Sequence, residues 1–431
     1  MSSRSTSILL IIAGMIIGAV IGYTITPTGV SQQEYNNLLN ENKALQSQVN
    51  QLHQNLTTLH SQNNELTNEV NQLKQKVSQL EGKTNTSETI KLAHSNKLGD
   101  YFTNASGYAL YYFALDTPSS GVSKCAGECL KIWTPYYTER IIPPKGVNAT
   151  NFSKITWSDG TKQITYRGWP LYLYNNDTSG TTKGEAFKNL WWVMKPSYTI
   201  LLSYSEATGL HLCTFEDEGI YYFAKDIPRS GESACTGECT SLWSPVPGGV
   251  IAPSSAPAMN FRSFTGLDGA PQAEYRGWPL YTYNEDGKPG DTNGDGYKDL
   301  WYLMKPNYSI MIAYSSNLST AYRIAGNMLY LTDGEGFTLY YNILDSPGYS
   351  TCTGDCLSLW TPYYVQNVIA PNSIQTADFT SFENTLSKEE LQYVGWPLYH
   401  YSQDKKPGET KGEGYLNVWY TIDPYNPPPA E

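Results

Sequence analysis

The sequence predicts a mostly β fold: three tandem, pseudo-two-fold β domains behind an N-terminal transmembrane helix and a long parallel coiled coil. Three observations lead there: an uncharged run near the start, an unbroken heptad after it, and a Tyr/Trp motif that recurs six times in the remainder. The 431 residues leave room for about three domains of average size.

The run Ile8 to Ile25 carries no charge and, at about 1.5 Å per residue, spans about 27 Å, enough for a thin hydrocarbon core. Arg4 precedes it, and no Lys or Arg occurs from Ser5 to Asn42. The positive-inside rule then keeps a short N-terminus in the cytoplasm and sends the rest out. Residues 1–30 are therefore expected to be a single-pass anchor held in the lipid bilayer through residues 8–25, with the C-terminal region extracellular. A cleaved signal peptide is the alternative. No Cys precedes Cys125, which excludes lipid attachment near the N-terminus.

Residues 31–83 are expected to form a stalk. Leu38, Leu45, Leu52, Leu59, Leu66, Leu73 and Leu80 hold heptad position d, and Asn42, Val49, Leu56, Asn63, Val70 and Val77 hold position a. Val at a with Leu at d favours two parallel strands, and an a-position Asn fixes register. Glu69 would face Lys74 of a second copy, and Lys76 would face Glu81. The expected partner is self, as a parallel homodimer, with a trimer left open.

From residue 84 the chain repeats, with boundaries drawn at 84–204, 205–314 and 315–431. Each copy opens with a Tyr-rich segment ending in Asp (Tyr111 to Asp116, Tyr221 to Asp226, Tyr340 to Asp345). A Cys-x3-Cys pair and a Trp follow: Cys125, Cys129 and Trp133; Cys235, Cys239 and Trp243; Cys352, Cys356 and Trp360. The second half of each copy opens with Gly-Trp-Pro-Leu-Tyr at Gly168, Gly277 and Gly395. It continues to Asp177, Asp286 or Asp404, a Gly-rich turn, and Trp191, Trp301 or Trp419. Large and small residues alternate between Gly, Pro, Asp and Asn, the pattern of strands joined by tight turns. Separate beads fit these pairs better than a six-bladed ring, because the two halves differ consistently while the pairs resemble each other.

These motifs resemble the secreted repeat of unknown function found in predicted bacterial and archaeal lipoproteins with a Tyr-x-(Phe/Trp/Tyr)-x-x-Asp motif. Tyr111, Phe113 and Asp116 match, as do Tyr221, Phe223 and Asp226, whereas the third copy has Asn342 at the aromatic position. The resemblance implies no assigned activity, and the Cys that a lipid anchor requires is missing. The arrangement of anchor and stalk, with low charge and many sequons, is similar to archaeal surface-layer-associated proteins.

The repeated Asp residues read as turn residues ahead of Pro118, Pro228 and Pro347. Local disulfides are expected at Cys125–Cys129, Cys235–Cys239 and Cys352–Cys356. Cys213, aligned with Thr103 and Thr332, is expected to stay unpaired. Asp291, Asn293 and Asp295 resemble the start of a calcium loop, but Tyr302 stands where a bidentate Glu belongs. Sequons at Asn55, Asn85, Asn104, Asn148, Asn151, Asn176, Asn307 and Asn317 offer glycosylation sites on an exported chain. A net charge of -11 argues against nucleic acid. No catalytic motif and no cofactor motif is present, so the expectation is a non-enzymatic structural or adhesive envelope protein, with surface-layer or envelope components as candidate partners. A protein that binds carbohydrate or another small ligand is the main alternative, and an envelope enzyme or redox carrier comes third.

Overall fold

The computed structural model describes residues 31–81, 88–318 and 328–429, in two compact units that divide after Thr86. The first unit holds one long helix, α1 (Gln32–Glu81). Its start is a capping box. The Glu34 amide donates to Ser31 Oγ at 3.3 Å, and the Ser31 amide donates to Glu34 Oε2 at 2.9 Å. The heptad side chains Leu45, Val49, Leu52, Leu56, Leu59, Leu66, Val70 and Leu73 all lie open to solvent, as do Asn42 and Asn63. The side chains of Val77 and Leu80 lie outside the described residues.

The expected transmembrane helix and long parallel coiled coil are therefore corrected. Among the described residues no helix is long and apolar enough to cross a membrane, and residues 8–25 lie outside them. Residues 32–81 form a single helix whose leucine stripe is uncovered. The physical reason is that a heptad specifies a helix with one narrow apolar stripe; it does not by itself supply the second strand that would bury the stripe.

The second unit is built on β strands with a few short helical turns. The first repeat runs β1 (Ile90–Ser95), β2 (Gly99–Asn104), β3 (Tyr111–Phe113), β4 (Trp133–Pro135), β5 (Phe152–Thr156), β6 (Lys162–Tyr166), β7 (Trp169–Pro170), β8 (Tyr172–Tyr174) and β9 (Trp191–Val193). β1 and β2 form a hairpin, β5–β6–β7 a three-stranded sheet, and β4–β8–β3–β9 a four-stranded antiparallel sheet. The last order matters most. β3 and β4 come from the first half of the repeat, β8 and β9 from the second, and β8 lies between β4 and β3. Neither half can complete its sheet alone. The second and third repeats reproduce this topology strand for strand.

The β6–β7 link is a two-residue turn with both φ angles positive, at Arg167 (47°) and Gly168 (88°). That geometry matches the twist of the flanking strands. Arg276–Gly277 and Val394–Gly395 repeat it.

The three repeats are not separate beads. One hydrophobic core runs from Ile90 through Tyr112, Leu202, Tyr222 and Ile312 to Ile422. The hairpin Ile200–Ser205/Gly209–Thr214 opens the second repeat and docks on the first. There the Leu202 amide donates to Tyr112 Oη at 3.2 Å and the Tyr204 amide to the Ala114 carbonyl at 2.9 Å. At the next junction Ile312 donates to Tyr222 Oη at 3.1 Å and Tyr314 to the Ala224 carbonyl at 2.8 Å. The boundaries drawn at 204/205 and 314/315 thus fall in leading hairpins, and the repeats begin at Ile200 and Ile310. In the third repeat the Pro424 carbonyl accepts from Tyr393 Oη at 2.6 Å, as the Pro306 carbonyl does from Tyr275 Oη at 2.7 Å in the second, and the Pro428 carbonyl accepts from Trp396 Nε1 at 2.7 Å. Pro428 thereby takes the place that in the first repeat belongs to Phe215, just after the next hairpin, where Trp169 Nε1 donates to the Phe215 carbonyl at 2.8 Å.

Candidate functional site

The recurring residues converge on one constellation per repeat. Tyr111 of the first half donates to Asp177 of the second at 2.6 Å, and Tyr172 of the second half donates to Asp116 of the first at 2.6 Å. The same reciprocal pairs are Tyr221–Asp286 and Tyr281–Asp226, then Tyr340–Asp404 and Tyr399–Asp345. The other carboxylate oxygen of each Asp accepts a loop amide six to eight residues on, from Lys124, Lys183, Ala234, Asn293, Thr351 or Lys411. The six Asp residues are buried, and each ties a loop to the opposite half of its repeat.

Burial dominates the electrostatics. It raises the Asp116 and Asp226 carboxyls to about 7 and that of Asp404 to about 6, against the hydrogen bonds from their Tyr partners, which pull down. Burial and the adjacent Asp177 carboxylate push the Tyr111 hydroxyl well above its ordinary value.

Beside these pairs the rings form a stack. Trp133 and Trp191 lie parallel with centroids 3.7 Å apart, as do Trp243 and Trp301, while Trp360 and Trp419 are 3.8 Å apart. Phe113 extends the first stack at 4.1 Å and Phe223 the second at 4.2 Å. Asn342 takes that place in the third repeat and instead accepts the Leu344 amide at 3.0 Å, so its stack is one ring shorter. The Gly-rich turns close over these rings. A Cβ on Gly184 would stand 2.6 Å from Trp133, one on Gly294 2.6 Å from Trp243, and one on Gly412 2.7 Å from Trp360. Only glycine lets the backbone lie this near the indole.

The three expected disulfides are present, each with Cα atoms 5.3 Å apart, and each closes a short helical segment leading to Trp133, Trp243 or Trp360. Cys213 is unpaired and buried, bridged to Gly219 as Thr103 is to Ala109 and Thr332 to Thr338. The calcium candidates do not converge. Asp291 accepts the Gly287 and Lys288 amides, Asp295 accepts the Leu303 amide and the Asn372 side chain, and the Asn293 amide donates to Asp286. Among the described residues no group of three His, Cys, Asp or Glu side chains could hold a metal ion.

Of the sequon residues, Asn55, Asn148, Asn176, Asn307 and Asn317 are exposed and Asn85 lies outside the described residues. Asn104 and Asn151 are half-buried, and Asn104 Oδ1 is held by the Ser106 and Tyr108 amides. Sequence reasoning missed the Tyr–Asp pairing across halves, because the partners lie more than 50 residues apart. The signal available was that the two motifs share one pattern.

Interleaved sheets, reciprocal Tyr–Asp pairs and stapled Trp loops define a mostly β tandem-repeat array with aromatic-cored repeats. Residues 93–136, 153–195, 263–305 and 390–423 match the family described as secreted repeat of unknown function, and these four segments are repeats of that family. The description suggests an extracellular location. The first halves of the second and third repeats, outside those matches, keep the same strands and the same Tyr–Asp pairs. No curated protein and no solved structure matches the chain.

Proposed function

We propose that the chain is a non-enzymatic structural or adhesive protein of the cell exterior, acting through envelope or surface-layer components. One observation carries this reading: the residues that recur with chemical potential are consumed internally. Each repeated Asp is buried and holds both a Tyr hydroxyl and a loop amide, and the paired Cys are disulfide-bonded. The test is genetic. Cells lacking the chain should lose envelope integrity or surface attachment. Both should return with the wild type and with a folded chain carrying Asp116→Asn, Asp226→Asn and Asp345→Asn. Rescue by the wild type alone would count against a scaffold and for chemistry at those carboxyls.

A second reading has its own observation. A groove of about 570 Å³ lies where the second and third repeats meet, lined among others by Lys225, Asp226, Tyr314, Asn317, Thr410 and Lys411. Two aromatic rings, Tyr314 and Tyr330, with hydroxyls, an amide and charges of both signs are the chemistry of carbohydrate recognition. Saturable binding of an envelope polysaccharide, lost in Tyr314→Ala, would favour that reading.

A further inference from the structure

One position in the repeat is treated three ways. Trp157 stands at the β5–β6 turn, where its amide donates to the Thr161 carbonyl; Gly266 to Ala270 and Asn384 to Lys388 make the same bond in the other repeats. In the first repeat Trp157 Nε1 donates to Gln163 Oε1 at 3.1 Å, while Gln163 Nε2 is fixed on the Leu171 carbonyl at 2.8 Å. In the third repeat Asn384 Nδ2 donates to Glu390 Oε2 at 3.1 Å. The acceptor is filled from the same side in both.

The second repeat keeps the acceptor and lacks the donor. Gln272 is 3% exposed, and its Nε2 is fixed on the Leu280 carbonyl at 3.2 Å as in the first repeat. Among the described residues no donor meets its Oε1, and Gly266 brings no side chain. A cavity of about 430 Å³ opens at this place, lined mainly by Trp243, Pro245, Leu267 and Tyr281, with Ser233, Thr240, Asp268 and Gln272 as its polar side chains. That volume lies in the usual range for small-molecule sites. Leu267 is 62% exposed at the rim, an apolar side chain that an occupant would cover.

We propose that this cavity binds a planar aromatic group carrying one N–H donor, of which the indole ring is the type case. The first repeat presents that group to the equivalent amide with its own Trp157. Apolar walls take the ring face, and Gln272 Oε1, held in place by the Leu280 bond, takes the N–H. The indole can come from a free small molecule or from a Trp side chain on a peptide partner.

Calorimetry on the full chain tests this with indole, 1-methylindole and the peptide Gly-Trp-Gly. Indole should bind saturably at one per chain. 1-Methylindole, which has no N–H, should bind about tenfold more weakly, through the loss of the hydrogen bond to Gln272 Oε1. Gly266→Trp should abolish binding by filling the cavity from within. Its Cβ would meet the Ala270 carbonyl at 3.1 Å, so Gln272→Met serves as a second variant should that chain fail to fold. Trp157→Gly should open a second site and raise the stoichiometry to two. Stronger binding of the peptide than of indole identifies a protein partner; the reverse identifies a small molecule. The proposal is overturned if indole does not saturate, if the folded Gly266→Trp or Gln272→Met chain binds as the wild type does, or if Trp157→Gly still binds one equivalent.

Discussion

The leading strand of the first repeat and those of the second and third occupy one place in the fold and differ in what they meet. Ile90-Lys91-Leu92-Ala93-His94 shows Lys91, Leu92 and His94 to solvent. Ile200-Leu201-Leu202-Ser203 and Ile310-Met311-Ile312-Ala313 are buried throughout. The backbone pairing is the same in all three hairpins. The side chains therefore follow the neighbour. Where the strand packs on the preceding repeat it is apolar on both faces, and where no repeat precedes it the strand turns polar and serves as an end cap. Exposed Leu92 also shows that the third repeat does not close back on the first, so the array is an open stack.

The sharpest way to break this comparison is to make one substitution at both places. Leu202→Lys buries a charge against the first repeat and should destabilise the chain by about 4 kcal/mol or more. Leu92→Lys, on the exposed strand, should change stability by no more than about 0.5 kcal/mol. Denaturant melts of the full chain read both, and equal effects would dissolve the distinction.

The interiors of the repeats, by contrast, are alike, and pH should reveal that. Asp116 and Asp226 ionise near 7 in the folded chain, chiefly through burial, against about 3.8 when unfolded. Between those values the folded chain binds more protons at these two groups, so the stability they contribute is fully present below about pH 4 and is lost as pH rises towards 7. The melting temperature should be several degrees higher at pH 5 than at pH 8. Asp116→Asn together with Asp226→Asn should flatten the slope, and a melting temperature that rises with pH would refute the assignment.

Next in size comes the junction hydrogen bond. Tyr222→Phe leaves the buried Ile312 amide without its acceptor and should cost about 1–3 kcal/mol. Tyr112→Phe should cost about the same through Leu202. Hydrogen exchange should speed up at Ile312 or Leu202 respectively and nowhere in the remote repeat.

The smallest effects concern the turn residue that reaches across. Arg167 pairs with Glu216 and Arg276 lies 3.7 Å from Glu335, each in the next repeat. Truncating Arg167 to Ala should cost less than about 1 kcal/mol, since exposed ion pairs contribute little, and Arg276→Ala should cost more, because Arg276 is half-buried and its Nη1 donates to the Tyr308 carbonyl at 3.0 Å. Val394 holds the same left-handed position (φ 48°) and is exposed. A β-branched residue is strained there, and Val394→Asn should stabilise the chain by about 1 kcal/mol. A loss of stability would mean that the valine has a packing role.

Much of the repeat could be read in the sequence. The six motif copies, the three local disulfides and the match of Cys213 to Thr103 and Thr332 depend on nearby residues or alignment of equivalent ones. The leading hairpins are harder to see, because Ile200–Ser205 carries no Gly or Pro to mark its start, and the expected boundaries fall inside them. The Tyr–Asp exchange was invisible for a physical reason. Asp116 sits before Pro118 in what reads as ordinary turn chemistry, and only folding brings Tyr172 to it. The heptad of α1 was legible as a helix, whereas what covers its leucines is not a property of one strand. The cavity beside Gln272 was hidden for the opposite reason: its sign is a residue that is missing, a glycine where a copy of the unit has tryptophan.

The strip of chain from Pro424 to Pro428 has a consequence for how such an array can lengthen. Its Pro428 carbonyl engages Trp396 where the first repeat engages the chain that follows the next hairpin, so it works as a stopper on the third unit. A fourth unit grafted behind Pro428 would meet that stopper and would have to displace it. The same unit inserted between Tyr308 and Ser309 would find an apolar hairpin seat on one side and an apolar hairpin on the other. Lengthening this array is an operation on its middle.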